Sequence, residues 1–280
     1  MAARFWVGGT GTWDASDTTH WAATSGGAGG QSVPTSTDDV TIDGHASGLN
    51  GGTVTVNATV SVNTLTISAM NGTLDFATNN NNVTINASSG GSGFNNNGAG
   101  TRTFNMGNGT WTMAGTDCLW NQGGSNLTFN ANSSTILMAG GRNRNFFGGA
   151  YTYNVVSFAA GSSSVSSVAQ IGASSTIGTL NVAAPNTFRA NTTSATITTF
   201  NITGSSSSAL VMFASSTFGQ TAPLVVTNNF TPSWVGIMDI TFSGGTHTAS
   251  NSFAFKGATG ITVTPPSGGG GGGGQRVISG

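Results

Sequence analysis

The sequence predicts an all-β chain, and three observations carry that expectation. The residues that build helix surfaces are missing, strand and turn formers stand in their place, and a short apolar-polar-apolar unit recurs from end to end. There is no Glu and a single Lys, Lys256, so solvent-facing helix positions have almost nothing to be built from. Thr, Ser, Asn and 44 Gly residues dominate instead. Thr suits pleated strands, while Asn and Gly supply the positive-φ turns that short strands need. Hydrophobic residues still make up 36% of the chain, enough for a core when they recur regularly.

The recurring unit appears as Leu65-Thr66-Ile67, Leu74-Asp75-Phe76, Val83-Thr84-Ile85, Phe104-Asn105-Met106, Trp111-Thr112-Met113 and Leu127-Thr128-Phe129. Each puts two side chains on one strand face and a small polar one on the other. A longer form, Val62-Asn63-Thr64-Leu65-Thr66-Ile67, returns as Ile177-Gly178-Thr179-Leu180-Asn181-Val182 and as Ile197-Thr198-Thr199-Phe200-Asn201-Ile202. Equating Leu180, Phe200 and Ile240, with Val156 before them and Ile261 after, gives a period near 20 residues, about one coil of a parallel β-helix or β-solenoid. That fold predicts burial of Leu65, Ile67, Leu180, Val182, Phe200, Ile202, Ile240 and Phe242. The first three triplets begin nine residues apart, a spacing that also suits the alternative, an antiparallel β-sandwich or jelly roll.

Three segments break the pattern. Residues 1–52 carry Trp6, Trp13 and Trp21 among glycines and read as an aromatic-rich N-terminal cap over the open end of a solenoid body spanning 53–264. Residues 140–152, with Arg142, Arg144, Phe146 and Phe147 between glycine pairs, read as a loop or a junction inside that body. Residues 265–280 hold Pro265-Pro266, seven consecutive glycines and Gln275-Arg276-Val277-Ile278. They read as a flexible tether with a docking tail of Arg276, Val277 and Ile278.

With 7 Lys plus Arg against 8 acids, all Asp, the formal charge is −1. No basic footprint points to nucleic acid or to an anionic membrane, and no apolar run is long enough to span a bilayer. The opening residues lack the apolar stretch of a secretory signal, so synthesis in a host cytoplasm is expected. Cys118 is the one cysteine, which excludes an intrachain disulfide framework.

The leader Phe5-Trp6-Val7-Gly8-Gly9-Thr10-Gly11-Thr12-Trp13-Asp14, then His20-Trp21, then Val33-Pro34 with Asp38-Asp39-Val40-Thr41-Ile42-Asp43, resembles the opening of β-helical repeat proteins. Such openings occur in autotransporter-type adhesins and in bacteriophage tail-fibre and other virion surface proteins. Tyr153-Asn154-Val155-Val156-Ser157-Phe158 resembles a coil start of such phage proteins. Poly-Gly stands where an autotransporter would carry its strand-dense barrel. The resemblance therefore implies a non-catalytic virion component, either a compact tail fibre or spike or a capsid decoration protein. It would be a homotrimer that touches other virion proteins and, in the fibre role, a host surface glycan. A secreted bacterial adhesin is the alternative, and a polysaccharide depolymerase tailspike is the second alternative.

The depolymerase reading needs paired carboxylates, and its candidates are Asp38, Asp39, Asp43, Asp75, Asp117 and Asp239. Their plainer roles are turn shaping for Asp38 and Asp39 and an exposed face for Asp75. His20, His45, His247 and Cys118 show no zinc-ligand spacing, and Asp38, Asp39 and Asp43 lack the repeat of a Ca²⁺-binding β-roll. Trp111, Trp120 and Trp234 are candidate sugar platforms, with Trp111 on an inward position. Gly8-Gly9-Thr10-Gly11 is not followed by a helix and does not read as a phosphate loop. Sequons such as Asn57-Ala58-Thr59 follow from the composition. Neither a catalytic, a metal nor a cofactor site is expected.

Overall fold

Strands that alternate apolar and polar residues send every second side chain to one face, and many short strands of this kind must share a buried side. The structure is a computed structural model that describes residues 1–87, 93–161, 168–172, 174–193, 195–204 and 206–267. No helix occurs among them, and the strands form a 12-stranded, a nine-stranded and a five-stranded sheet plus a two-stranded one. The ladders of the three large sheets are parallel except where Trp21–Ala22 runs antiparallel beside Ala3–Trp6. A sandwich or jelly roll needs antiparallel ladders, so the parallel register excludes that alternative.

The chain visits the sheets in turn. Asp39–Asp43 lies in the 12-stranded sheet, Asn50–Val56 in the five-stranded and Val60–Val62 in the nine-stranded, and Thr64–Ser68 then returns to pair with Asp39–Asp43. Each return moves the chain one strand along the 12-stranded sheet, so that Val40, Leu65, Phe94, Trp120, Phe146 and Ile171 follow one another in register. All six are buried within a single hydrophobic cluster that draws on all three sheets.

This path corrects the repeat inferred from spacing. The triplets at Leu65, Leu74 and Val83 are successive strands of one pass in three different sheets. Nine residues is thus the distance from one side to the next, while Leu65 pairs with Phe94 and Val83 with Trp111. Val156, Leu180 and Phe200 do share a row, but Ile240 and Ile261 do not continue it. Ile197 is opposite Val226, a pass of 29 residues, and Leu224 is opposite Phe242, a pass of 18. A long pass followed by a short one shifts the row, and Ile240 stands opposite Ala222. Of the eight side chains expected inside, Leu65, Ile67, Leu180, Val182, Phe200, Ile240 and Phe242 are buried, and Ile202 is half-buried.

Two boundaries also move. The limit at 52/53 falls inside strand Asn50–Val56, and strands of the leader already belong to the large sheets. The stretch 140–152 carries strand Asn143–Phe147 in unbroken register with Cys118–Gln122 and Val168–Ile171. What changes there is the number of sides: the five-stranded sheet stops at Leu127–Asn130, and later passes alternate between the other two sheets until Thr248–Ala249 and Thr262–Val263 form the two-stranded sheet. Tyr151 packs its ring against Phe129, 5.6 Å away, where a next third strand would begin.

At the N-terminal end, Trp21 packs edge-on to both Trp6 and Trp13, at 5.3 and 4.9 Å, and all three indoles are buried. They close the first pass with large apolar area, and strand Trp21–Ala22 pairs along the edge of Ala3–Trp6. The docking-tail residues Arg276, Val277 and Ile278 lie outside the described residues.

Candidate functional site

The acids come first, because a carboxylate pair on adjacent passes would carry chemistry. The register puts Thr64 opposite Asp39, Ser68 opposite Asp43, and Asn105 opposite Asp75. Each of the six candidates instead takes hydrogen bonds from its surroundings. Asp38 is buried and accepts from the Thr35 amide and hydroxyl at 3.0 and 2.9 Å and from the Ala2 amide at 3.2 Å. Asp39 accepts from Asn63 Nδ2 and the Thr64 hydroxyl, Asp43 from the His45 amide, and Asp117 from the Asn143 amide. Asp239 is buried at a φ of 54° and accepts from the Gly219 amide.

Asp75 is buried and not exposed. The chain turns directly after it, and its carboxylate accepts from the Thr78 hydroxyl at 2.5 Å, from Asn105 Nδ2 at 3.1 Å and from the Ala77 amide at 3.1 Å. Burial pushes its pKa up, yet these donors outweigh burial and hold the carboxyl below its ordinary value. Asp38 follows the same balance, with Thr35 and Ala2 as the donors.

The metal and sugar candidates are equally dispersed. No group of three His, Cys or acidic side chains that could hold a metal occurs among the described residues. His20 stacks on Trp6 at 4.6 Å and its Nδ1 lies 2.7 Å from the Val7 carbonyl, while His247 packs near Phe242. Cys118 is buried, and burial raises its thiol to about 11. Trp111 and Trp120 are buried in the aromatic core, so neither presents a ring to a ligand. Trp234 is half-buried at a φ of 57°.

Two arginines are buried, which no sequence signal announces. Arg102 donates to Asn96 Oδ1 at 2.7 Å and to the carbonyls of Gly100, Ser125 and Gly123. Arg144 donates to the Ala159 carbonyl and Asn186 Oδ1. Neutral oxygens converge on each guanidinium, and those around Arg102 engage all three of its nitrogens; the pattern joins strands and is structural in character.

The outward faces carry the remaining signal. In the five-stranded sheet, Thr53, Thr73, Thr103 and Thr128 form one row and Thr55, Asp75, Asn105 and Asn130 the next. Amides link successive passes: Asn105 to Asp75 at 3.1 Å, Asn130 to Asn105 at 2.8 Å, Asn121 to Asn95 at 3.1 Å and Asn201 to Asn181 at 3.0 Å. The outer rows of the 12-stranded sheet begin in the same style, with Thr41, Thr66, Asn95 and Asn121 in sequence. In its last passes they turn apolar. Met212 is followed by Gly236 and Phe253, and Ala214 by Met238. Met212 and Phe255 close over Gly236, where a Cβ would meet Met212 Sδ at 2.6 Å and Phe255 Cε2 at 3.2 Å. Phe255 is 50% exposed, and Phe218, on the turn whose Gly219 amide bonds Asp239, is 88% exposed. Large apolar side chains are thus grouped on the last passes.

In comparison with known proteins, the chain matches no family model, and neither a curated protein nor a solved structure is detectably similar to it.

Proposed function

We propose that this chain is a non-catalytic structural protein of a bacteriophage particle, a β-solenoid displayed on the particle surface as a compact tail fibre or spike or as a capsid decoration. The observation that carries the reading is a contrast on one surface. Hydroxyl and amide ladders recur along the outer faces, and large apolar side chains, Met212, Met238, Phe253 and Phe255, gather on the final passes. A body of this kind is stiffened pass by pass, offers little to proteases or to non-specific partners along its sides, and makes contact at one end.

Several features support the solenoid reading. Parallel strands advance one place per pass in each large sheet, apolar columns run inward, and a tryptophan cluster closes the first pass. The resemblance of the leader to β-helical virion proteins supports the particle assignment. The apolar end supports association with further copies, a homotrimer in the simplest closed symmetry that suits a fibre or spike, and with capsid or tail proteins. Host glycan binding belongs to the fibre role. The carboxylates favour the non-catalytic reading, because their oxygens are engaged in turns and ladders and stand opposite Thr, Ser and Asn.

The test is composition of purified particles. Mass spectrometry of gradient-purified particles, with antibody labelling of the intact ones, is expected to find this chain on the outside. Its recovery from bacterial envelopes or culture medium with none on particles would favour the secreted adhesin, and cleavage of host polysaccharide by the pure protein would favour the depolymerase.

A further inference from the structure

The chain contains four Asn-Gly pairs, Asn50-Gly51, Asn71-Gly72, Asn97-Gly98 and Asn108-Gly109. A glycine after asparagine leaves the peptide nitrogen unshielded and the backbone free to rotate, so each pair is open in principle to the same intramolecular reaction. The inter-pass ladders treat them unequally. Asn50 Oδ1 accepts from Asn71 Nδ2 at 3.1 Å, Asn71 Oδ1 accepts from the Thr101 amide at 3.0 Å, and Asn108 Oδ1 accepts from the Ser133 amide at 3.2 Å. The Gly72 nitrogen is engaged as well, donating to the Thr101 carbonyl at 3.1 Å. Asn97 is exposed, and its side chain has no hydrogen-bond partner among the described residues.

We propose that Asn97 is the site of spontaneous deamidation in the folded protein, and that ladder bonds protect Asn50, Asn71 and Asn108. The Gly98 backbone nitrogen gives up its proton and attacks Asn97 Cγ. The Cγ–Nδ2 bond breaks, ammonia leaves, and a five-membered succinimide forms. Water then adds to one of its two carbonyls and opens the ring to aspartate or isoaspartate. The net change is gain of one water and loss of one ammonia, with no oxidation or reduction.

The position gives the product a consequence. Residue 97 follows Asn96, whose Oδ1 accepts from the buried Arg102, a cation held only by neutral oxygens. Gly98 lies so close to the preceding pass that a Cβ on it would come within 2.3 Å of the Ala69 nitrogen. Aspartate therefore brings a negative charge to the neighbourhood of Arg102, and isoaspartate adds a backbone atom beside the preceding pass.

The experiment is ageing of the full chain in mildly alkaline buffer, followed by chymotryptic mapping and mass spectrometry of the four pairs, in native buffer and in guanidinium. Asn97 is expected to convert roughly tenfold faster than the other three in the native protein, the scale set by breaking one net hydrogen bond, and the four rates are expected to converge on unfolding. A native Asn97 rate no faster than the others overturns the proposal. Asn71→Ser removes the donor to Asn50 and is expected to raise the Asn50 rate in the folded variant; an unmoved Asn50 rate overturns the ladder as the cause of protection.

Discussion

Phe94 and Trp120 occupy the same row on adjacent passes, and their rings stack with centroids 4.0 Å apart and planes 24° from parallel. The contact continues through Trp120 to Phe146 at 6.4 Å and sideways to Trp111 at 5.8 Å, so one indole touches the pass before, the pass after and the facing sheet. Truncation cannot be repaired by collapse of the backbone, because the parallel ladders on both sides fix the strand spacing. Trp120→Ala is expected to lower stability by about 3–5 kcal/mol, the usual scale for a large buried aromatic. Denaturant unfolding followed by far-UV circular dichroism measures it, and a loss well under 1 kcal/mol would show that the aromatic column does not hold the passes together.

Cys118 stands opposite Arg144 in the ladder and is buried, and burial raises its thiol to about 11. The thiolate is the nucleophile, so at neutral pH the native protein is expected to resist iodoacetamide. Labelling should quicken as pH approaches the raised pKa, and should be rapid at neutral pH after unfolding. Fast labelling of the native chain at pH 7 would contradict the burial of this strand.

Asp75 makes a prediction at the acid end. Its folded pKa is depressed, so its contribution is present above the unfolded carboxyl value and is lost as pH falls through the folded value. Asp75→Asn is expected to flatten the decline of stability between about pH 4 and the acid limit. Melting temperatures of both proteins across that range check it, and parallel curves would mean that Thr78 and Asn105 do not stabilise the charged form.

How far the sequence carried these conclusions depends on the kind of signal. Absence of Glu and the period-two triplets point directly to strands, and the inward positions of Leu65, Leu180 and Phe200 follow from alternation alone. The repeat length did not follow, because passes differ in length, 29 residues from Ile197 to Val226 and 18 from Leu224 to Phe242, and no single period describes both. Burial of Asp75 was hidden for another reason. Alternation assigns it outward, correctly, and only the turn that brings Thr78 and Ala77 back onto it covers it. Burial of Arg102 and Arg144 has no local signal, because the carbonyls that surround them come from distant turns. The apolar end was invisible because Met212, Phe253 and Phe255 become neighbours only through the register.

That apolar end allows folding to be tested apart from the proposed assembly. Met212 is half-buried and Phe255 is half exposed, so replacing both with Ser is expected to change stability by less than about 1 kcal/mol for each residue. The double variant should fold, with an unchanged circular dichroism spectrum, yet show weaker self-association in sedimentation and reduced incorporation into particles. Normal assembly by the folded variant would remove this surface from the account.

Cryo-electron microscopy of intact particles carrying an antibody label on this chain tests the central claim most directly. The account predicts labelled density on the outer surface, resolved into stacked parallel passes that repeat every 4.7–4.9 Å, about the spacing of hydrogen-bonded strands, with the Met212 and Phe255 end against another copy or the particle wall. Particles that lack the label, or labelled density with no such repeat, would contradict it.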